Sequence, residues 1–283
     1  MMILVAVKMR GVKVNLRSSG ERTFTHDRAA FFQVIYTGIY DSLLQYISEG
    51  DCVVDLGANI GCFSLLASRI VGKSGQVVAI EPEPENFDRL EQNIKLNHVD
   101  NITAVNKAIW HESGKLKTFN GYGVAGSLDN HLNTDTLTEN SIQVETITLD
   151  DVYKDQGLSC VKALKVDIEG AEASILGHSS SSFAFQNTFA IAMEVHSPEI
   201  LSLTRNVLTI NGYEITEELV ESDYIRHLAM TVALHPVLPL FLYGPQLLDL
   251  AKRCLRRSTG KGLAERTTNE FQPPTCLARK IRT

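Results

Sequence analysis

The sequence predicts an α/β fold with a mostly parallel sheet and helices on both faces. From residue 51 onward, short apolar runs typical of buried strands alternate with segments of helical apolar spacing. The links between them are short, so consecutive strands are expected to be parallel and connected by right-handed crossovers. A glycine-containing turn after the first of these strands, and acidic residues where several strands end, agree with such a sheet.

Before this alternating region, residues 3–8 and 11–16 predict a hairpin around Gly11, and residues 29–47 carry apolar side chains at roughly helical spacing. The strands predicted in the sheet are, in chain order, residues 52–56, 76–80, 102–105, 163–166 and 189–195. The helices predicted between them cover about residues 60–70, 84–96, a segment from about 171, and 198–210. Residues 115–148, rich in Gly, Asn, Thr and Ser, predict an irregular excursion that contains a hairpin.

The 283 residues are enough for one large α/β domain or two small ones, and we divide them into three segments. Residues 1–48 are an N-terminal hairpin and helical lead-in, residues 49–222 the α/β domain, and residues 223–283 a C-terminal extension that is first apolar and then basic. The five cysteines are scattered without a Cys-x-x-Cys pair, so the sequence indicates neither a zinc site nor a disulfide framework. A reduced, cytoplasmic compartment is therefore expected.

Charge is unevenly distributed along the chain, whose net charge is −6. Residues 251–283 hold nine Lys and Arg against two Asp and Glu, so the acidic excess lies in residues 1–250 and disfavours a nucleic-acid partner. Residues 228–251 are apolar, but three prolines interrupt them, which argues against a membrane-spanning helix. Because a basic cluster follows, two interpretations stay open: peripheral contact of residues 228–257 with the inner membrane surface, or a C-terminal helix packed on the domain.

The strongest local signal is the segment from Asp55 to Gly61, which follows a predicted strand and opens a helix. Gly57 permits a sharp turn, and Gly61 lets the helix begin close to a ligand, whose carboxylate the exposed N–H groups can bind. Asp55, at the end of the strand, is placed to pair with a ligand ammonium. A dinucleotide site would have Gly-x-Gly-x-x-Gly, whereas Asn59 is the middle residue here, so a zwitterionic amino-acid group fits better than a pyrophosphate.

Acidic residues and a histidine follow three later strands of the predicted sheet. Glu81 ends the strand after the glycine turn, where an acid hydrogen-bonds ribose hydroxyls in nucleotide-binding sheets. Asp167 ends a predicted central strand, at the edge where open parallel sheets bind ligands. Glu194 and His196 are two residues apart at the end of the next strand, so their side chains share a face, and a histidine titrates in the range of a general base.

Four segments at this spacing together resemble the FkbM family of methyltransferases: Asp55–Gly61, Glu81-Pro82, Asn106-Lys-Ala108 and Leu164–Glu172. The resemblance covers about residues 30–220 and implies a Rossmann-like class I methyltransferase fold, with a seven-stranded sheet whose final strand is antiparallel. It also implies that S-adenosylmethionine is the cofactor, held by Asp55, Gly57, Ala58, Asn59, Gly61, Glu81, Pro82, Asn106, Ala108 and Asp167. A Tyr40-Asp41 pair matches an aromatic-acid pair that precedes the core in the family and helps close the cofactor pocket, and Gly126-Ser127-Leu128 resembles a family segment near the substrate side. Asp41, Ser127 and Glu169 are the candidate substrate contacts.

The resemblance further implies O-methylation of a hydroxyl on a sugar, glycolipid or polyketide-like substrate, either a small molecule or a lipid-linked one. Three alternatives stay open. A nucleic-acid methyltransferase is disfavoured by the acidic residues 1–250 and by the absence of an Asn/Asp-Pro-Pro-aromatic segment at residues 167–170. The spacing of the glycine turn disfavours a nicotinamide-dependent enzyme, and the intact acidic residues disfavour a non-catalytic, membrane-docked nucleoside-binding protein.

Two mechanisms are compatible with Asp167, Glu194 and His196, the candidate catalytic residues. In the first, His196 is a general base that a carboxylate orients, and no metal is involved. In the second, all three side chains bind a divalent cation, which lowers the pKa of the acceptor hydroxyl. We favour the metal-free base because a lone histidine commonly has that role, while the carboxylates can contact cofactor and acceptor.

Overall fold

A computed structural model describes residues 5–16, 27–28, 30–120, 141–168, 171–177, 182–195, 198–219 and 275–280. The described strands are β1 (Val5–Met9), β2 (Val12–Leu16), β3 (Cys52–Leu56), β4 (Gln76–Ile80), β5 (Ile102–Val105), β6 (Ala108–Ile109), β7 (Leu116–Asn120), β8 (Ser141–Ile147), β9 (Val161–Val166), β10 (Thr188–Glu194), β11 (Tyr213–Leu219) and β12 (Thr275–Lys280). The described helices are a π-helix (Phe31–Tyr36) and the α-helices α1 (Asp41–Leu44), α2 (Cys62–Val71), α3 (Pro84–Asn97), α4 (Leu149–Asp155), α5 (Glu172–Leu176), α6 (Phe183–Gln186) and α7 (Pro198–Ile210).

The described residues form a seven-stranded sheet in the order β11-β12-β10-β9-β3-β4-β5. The neighbouring pairs β3–β4, β4–β5, β3–β9 and β9–β10 are parallel, whereas β12 runs antiparallel to both β10 and β11. The predicted Rossmann-like, mostly parallel sheet with one antiparallel strand is thus confirmed. Its carboxyl edge gathers the ends of β3, β4, β9 and β10, where ligands bind in sheets of this kind.

Successive residues of the central strands point to opposite faces of the sheet and enter two separate cores. Val53 of β3 and Val77 of β4 lie in the core that includes α2 and the N-terminal segment, whereas Val54 and Val78 lie in the core on the other face. All four side chains are fully buried. Because both faces are covered, these strands appear in the sequence as unbroken apolar runs.

The predicted helical lead-in at residues 29–47 is divided in the structure into two short helices. The first is a π-helix, Phe31–Tyr36, and α1 begins only at Asp41. Between them Gly38 adopts φ +70°, a left-handed conformation that a right-handed helix cannot continue through. The break places Tyr40, which immediately precedes α1, at the carboxyl edge of the sheet.

The excursion after β5 forms a small sheet of its own, in which β8 pairs parallel with β6 and antiparallel with β7. This confirms the hairpin predicted within residues 115–148, and residues 121–140 between the two hairpin strands lie outside the described residues. The hairpin predicted at the N-terminus is also confirmed, because β1 and β2 pair antiparallel from Val5–Leu16 to Met9–Val12.

The antiparallel strand of the main sheet comes from the segment that the sequence assigns to a C-terminal extension. Residues 275–280 form β12, which lies between β10 and β11, so a domain limited to residues 49–222 omits one strand of the sheet. Among the residues that the structure describes, no helix is long and apolar enough to cross a membrane. The apolar and basic segment 228–257 lies outside the described residues.

A charge placed on β12 tests whether this strand belongs to the sheet. Ala278 is fully buried and lies opposite Ile191 of β10 and Ile215 of β11, so Ala278→Asp would bury an uncompensated carboxylate. We expect the free energy of unfolding, measured by urea denaturation, to fall by about 3 kcal/mol or more. The control is Arg279→Ala on the same strand, whose exposed ion pair with Glu214 contributes about 0–1 kcal/mol. Equal, small effects of the two substitutions would contradict the strand assignment.

Candidate active site

The described residues line two adjoining clefts at the carboxyl edge of the sheet. We call the first the Glu81 cleft and the second the Tyr40 cleft. Their volumes, open solvent included, are about 660 Å³ and about 750 Å³ respectively. Both are lined by Gly57, Asn59 and Asp167, which form the wall between them. The turn after β3 and the end of β9 therefore contribute to both halves of one composite site.

The turn after β3 has a backbone that side chains would obstruct. Gly57 adopts φ +72°, and a Cβ atom built there would lie 1.7 Å from the carbonyl oxygen of Asp167. Asn59 is also left-handed, with φ +51°, and its Oδ1 accepts the N–H of Ile60 at 2.7 Å. Glycine and asparagine are the residues that most readily adopt this conformation, so the Gly57-x-Asn59 spacing has a direct steric reason.

Helix α2 begins directly after this turn and points its first residues into the Tyr40 cleft. Gly61 caps the helix at φ +89°, and a Cβ there would lie 2.6 Å from Cδ1 of Leu90. Cys62 and Phe63, in the first turn, line the cleft. The positive end of the helix dipole and the first N–H groups of α2 therefore face a position suited to an anion.

Glu81, at the end of β4, is the buried acid of the Glu81 cleft, with 5% of its surface exposed. Its two carboxylate oxygens accept the backbone N–H groups of Asn59 at 2.7 Å and of Glu83 at 3.0 Å. Burial raises the pKa of Glu81 to about 7, against the lowering effect of these two hydrogen bonds. Each carboxylate oxygen can accept a further hydrogen bond, so the group can bind hydroxyl donors of a ligand.

The rest of the Glu81 cleft is mostly apolar. Its wall includes the predicted residues Pro82 and Ala108, and three apolar side chains that the sequence did not single out, Ile109, Phe119 and Ile168. Asn106, also predicted, acts on the backbone: its amide donates to the carbonyls of Glu81 at 2.8 Å and Pro82 at 3.0 Å. An apolar wall beside a buried acid that can accept hydrogen bonds suits a nucleoside.

The Tyr40 cleft contains a buried lysine that the sequence reasoning missed. Lys165 of β9 is 3% exposed, and its Nζ lies 3.2 Å from Asp55 Oδ1 and 3.3 Å from Asp167 Oδ2. Nζ also donates to the carbonyl of Gly57 at 3.0 Å. Although burial acts to lower the pKa of Lys165, the charges of Asp55 and Asp167 raise it above its ordinary value. Lys165 is therefore a fixed cation and not a proton acceptor at neutral pH.

Asp55, which the sequence predicts to pair with a ligand ammonium, is buried in the structure. Its side chain is fully buried, with Oδ2 accepting the hydroxyl of Ser64 at 2.5 Å and Oδ1 facing Lys165. Among the described residues that line the two clefts, Asp55 does not occur. Of the two acids paired with Lys165, it is Asp167 that lines both clefts, and its side chain is 25% exposed.

Tyr40 connects the N-terminal segment to this group of charges. Its phenol donates to Asp167 Oδ2 at 3.3 Å, and its ring lies 5.3 Å from Lys165 Nζ. Burial raises the pKa of Tyr40 well above 10, and the nearby carboxylates of Asp167 and Glu194 raise it further. Tyr40 therefore stays protonated and acts as a hydrogen-bond donor.

The strands β9 and β10 are parallel neighbours, so Asp167, which follows β9, and Glu194, which ends β10, lie at the same edge of the sheet. The side chains of Asp167 and Glu194 both line the Tyr40 cleft. Of the other predicted residues, His196, Ser127 and Glu169 lie outside the described residues. Within the described part of the chain, no group of three or more His, Cys, Asp or Glu side chains could hold a metal ion. The structure therefore locates two of the three candidate catalytic residues, Asp167 and Glu194, but not His196.

Asp41, a predicted substrate contact, is directed elsewhere by the structure. Its carboxylate forms an ion pair with Arg10 at 2.8 Å, and about half of its side chain is exposed. The described lining of the clefts includes its neighbour Tyr40 but not Asp41. Of this consecutive pair, only the aromatic side chain lines the site.

Comparisons with known proteins agree with this geometry. The family model described as "Methyltransferase FkbM domain" matches residues 55–215. The hexuronic acid methyltransferase AglP of Haloferax volcanii is 26% identical over 155 residues, covering 55% of this chain and 60% of that protein. The 31-O-demethyl-FK506 methyltransferase FkbM of Streptomyces tacrolimicus is 26% identical over 199 residues, covering 59% and 76%. The chain spans between 56% and 60% of the length of the first three curated relatives that it matches.

Among solved structures, the precorrin-6y C5,15-methyltransferase of Geobacter metallireducens GS-15 is 12% identical, with a TM-score of 0.43 and a coverage of 87% of this chain and 86% of that one. A similarity of this strength does not define the fold, which is given instead by the strand order of the sheet itself.

Gly57 and Gly157 have nearly the same φ, but only Gly57 lies in close contact with another part of the chain. Alanine substitutions at the two positions therefore distinguish the effect of this contact from the effect of backbone strain. Gly57→Ala places a Cβ against the carbonyl of Asp167, whereas Gly157, at φ +65°, has nothing within 4 Å of the equivalent position. We expect Gly157→Ala to lower the free energy of unfolding by about 1–2 kcal/mol, the cost of the left-handed conformation. Gly57→Ala should lower it by at least about 3 kcal/mol in the same urea titration. Similar values for both would show that the strand ends do not approach as described.

Proposed function

The chain belongs to the FkbM methyltransferase family, since the family model matches more than half of its length, and from this membership we propose that it is an S-adenosylmethionine-dependent methyltransferase. One observation supports the proposal above all: the Glu81 and Tyr40 clefts share a wall at Gly57, Asn59 and Asp167. A ligand that is a nucleoside at one end and an amino acid at the other needs two such adjoining clefts. The residues present therefore fit this cofactor.

The Glu81 cleft would hold the nucleoside half. The ionised carboxylate of Glu81 can accept hydrogen bonds from both ribose hydroxyls, while the N–H groups of Asn59 and Glu83 hold it in place. The apolar wall that includes Ala108 and Phe119 would pack against the adenine ring.

The Tyr40 cleft would hold the amino-acid half and the transferable methyl group. The first turn of α2 faces this cleft and favours a ligand carboxylate. Bound S-adenosylmethionine supplies an electrophilic methyl group on a sulfonium. The chain's part is to align an acceptor with that group and to exclude water, which can contribute about 7–11 kcal/mol to lowering the barrier.

For the acceptor, we propose a hydroxyl group on a sugar, glycolipid or polyketide-like molecule. The names of two relatives support this class, since one specifies a hexuronic acid and the other a 31-O-demethyl compound. The acidic excess of residues 1–250 disfavours the alternative, a nucleic-acid methyltransferase. With a lipid-linked acceptor, residues 228–257 are the segment that we propose to contact the membrane surface.

Binding of S-adenosylmethionine is expected to depend on the ionisation of Glu81. The pKa of Glu81 is about 7 in the unliganded protein, so its carboxylate is largely protonated at pH 6 and largely ionised at pH 8. Because ribose hydroxyls donate to the ionised form, the affinity should rise by about tenfold from pH 6 to pH 8 and then level off. Isothermal titration calorimetry measures the dissociation constant at each pH.

Two variants isolate this effect. Glu81→Gln should bind the cofactor more weakly by about 1–3 kcal/mol and should lose the pH dependence. Glu85→Gln, in the exposed first turn of α3, should keep the wild-type affinity and its pH dependence. Titration with NAD in place of S-adenosylmethionine should give no binding. Wild-type affinity and pH dependence in Glu81→Gln would remove Glu81 from the cofactor site.

For the chemical step, we propose that His196 is the general base without a metal ion. With an accepted hydroxyl substrate, His196→Ala should lower kcat by about 10²–10⁴-fold, while EDTA should leave wild-type turnover unchanged. Loss of turnover in EDTA, restored by Mg²⁺ or Mn²⁺, would favour the metal mechanism instead. Near-wild-type turnover in His196→Ala would exclude both roles for this histidine.

A further inference from the structure

We propose that Lys165 is a positioning residue, which makes Asp167 and not Asp55 the carboxylate that binds the ammonium of the cofactor's amino-acid half. The inference rests on the proposed function and deepens it, because it assigns the amino-acid end of the site to particular groups. The motif alone gives this role to the acid at the end of β3. Burial, strand register and charge favour the opposite assignment of the two acids.

Asp55 is withdrawn from the ligand by its surroundings. It is fully buried; Oδ2 accepts a hydrogen bond from Ser64 at 2.5 Å, and Oδ1 forms an ion pair with Lys165 at 3.2 Å without accepting a hydrogen bond. Reaching a ligand would require Asp55 to leave a buried ion pair, and breaking such a pair leaves an uncompensated buried charge. Asp55 therefore acts as the counter-ion of Lys165.

Lys165 is held so that it cannot itself bind a ligand. The register of β3 with β9 places Asp55 directly opposite Lys165, so the two side chains leave the sheet side by side. Nζ lies within 3.3 Å of Asp55, Asp167 and the carbonyl oxygen of Gly57. Nζ also donates to the carbonyl oxygen of Leu56 at 3.4 Å, so the ammonium is surrounded by two backbone carbonyls and two carboxylates of the protein. The lysine is thus an internal bridge between the two strand ends.

Of the two acids paired with Lys165, Asp167 is the one that lines the clefts. One of its oxygens, Oδ2, receives Lys165 at 3.3 Å and the Tyr40 phenol at 3.3 Å, which fixes the orientation of the carboxylate. A quarter of its side chain remains exposed, and it belongs to the wall that the Glu81 and Tyr40 clefts share. An oriented carboxylate at this wall can pair with a ligand ammonium beside the turn at Gly57.

The charges around the Tyr40 cleft support the same assignment. Three carboxylates, those of Asp55, Asp167 and Glu194, surround one ammonium, that of Lys165. The amino-acid half of the cofactor carries an ammonium and a nearby sulfonium, and the carboxylates of Asp167 and Glu194 that line the Tyr40 cleft would attract both. Its carboxylate would lie at the first turn of α2, away from the acids.

A pair of probes that differ only in the amino-acid group tests the proposal. S-adenosylhomocysteine carries the ammonium and carboxylate, whereas 5′-methylthioadenosine has a methyl group in their place, and both have a neutral sulfur. Isothermal titration calorimetry on the full chain gives the ratio of their affinities. In Lys165→Met, Asp167 loses the contact that orients its carboxylate toward the ligand ammonium. We therefore expect binding of S-adenosylhomocysteine to weaken by about 10- to 100-fold, while 5′-methylthioadenosine binds as in the wild type.

Three further variants keep the test decisive. Asp167→Asn should show the same selective loss. Asp55→Asn combined with Lys165→Met removes both buried charges together, which protects the fold if Lys165→Met alone unfolds, and it should also show the selective loss. Lys162→Met is the control, because Lys162 lies on the same strand with its Nζ 3.7 Å from the ring centre of Phe189, and it should leave both affinities unchanged.

The outcomes are distinguishable. Equal weakening of both probes in Lys165→Met and in the double variant would make Lys165 a structural residue and overturn the positioning role. Selective loss in the double variant without such a loss in Asp167→Asn would return the ammonium to the acid of β3. A wild-type chain that binds neither probe would instead refute the proposed function itself.

Discussion

A side chain at residue 57 would overlap the carbonyl oxygen of Asp167, so the ends of β3 and β9 can approach each other only because that residue is glycine. This approach determines the form of the whole site. It makes one wall serve two clefts, and it brings the Gly57 carbonyl within 3.0 Å of Lys165 Nζ. The positions of the turn, the buried lysine and the exposed acid therefore depend on one backbone contact between neighbouring strands.

The charges at this edge are held by the apolar strands beneath them. Buried ions are costly unless each has a partner, and here Lys165 and Asp55 neutralise each other above the fully buried residues Val53 and Ala163. The left-handed backbone at Asn59 adds local strain. Such features persist when the surrounding structure is rigid, and parallel strands covered on both faces provide that rigidity. The site is thus ordered before a ligand arrives, which lowers the entropy that binding must offset.

The sequence predicts those features that are local in the chain. Apolar runs locate the central strands, and position at a strand end is enough to single out Glu81 and Asp167. Features that depend on pairing between distant segments are not predicted. The partner of Asp55 follows from the register of β3 with β9, over a hundred residues apart, although a lysine inside an apolar strand was a signal for it. The placement of residues 275–280 between two other strands is equally non-local.

That placement also affects how the chain assembles during synthesis. In the described sheet, β11 pairs only with β12, yet residues 220–274 separate the two strands in the chain. At a translation rate of about 5–20 residues per second, β11 waits roughly 3–11 s for β12, and β10, which ends 80 residues before β12, waits roughly 4–16 s, each with one backbone edge unpaired. Exposed edges of this kind pair readily with other chains. The interval before the last strand emerges is thus when the protein is most exposed to aggregation, and a chaperone that covers the open edge would act there.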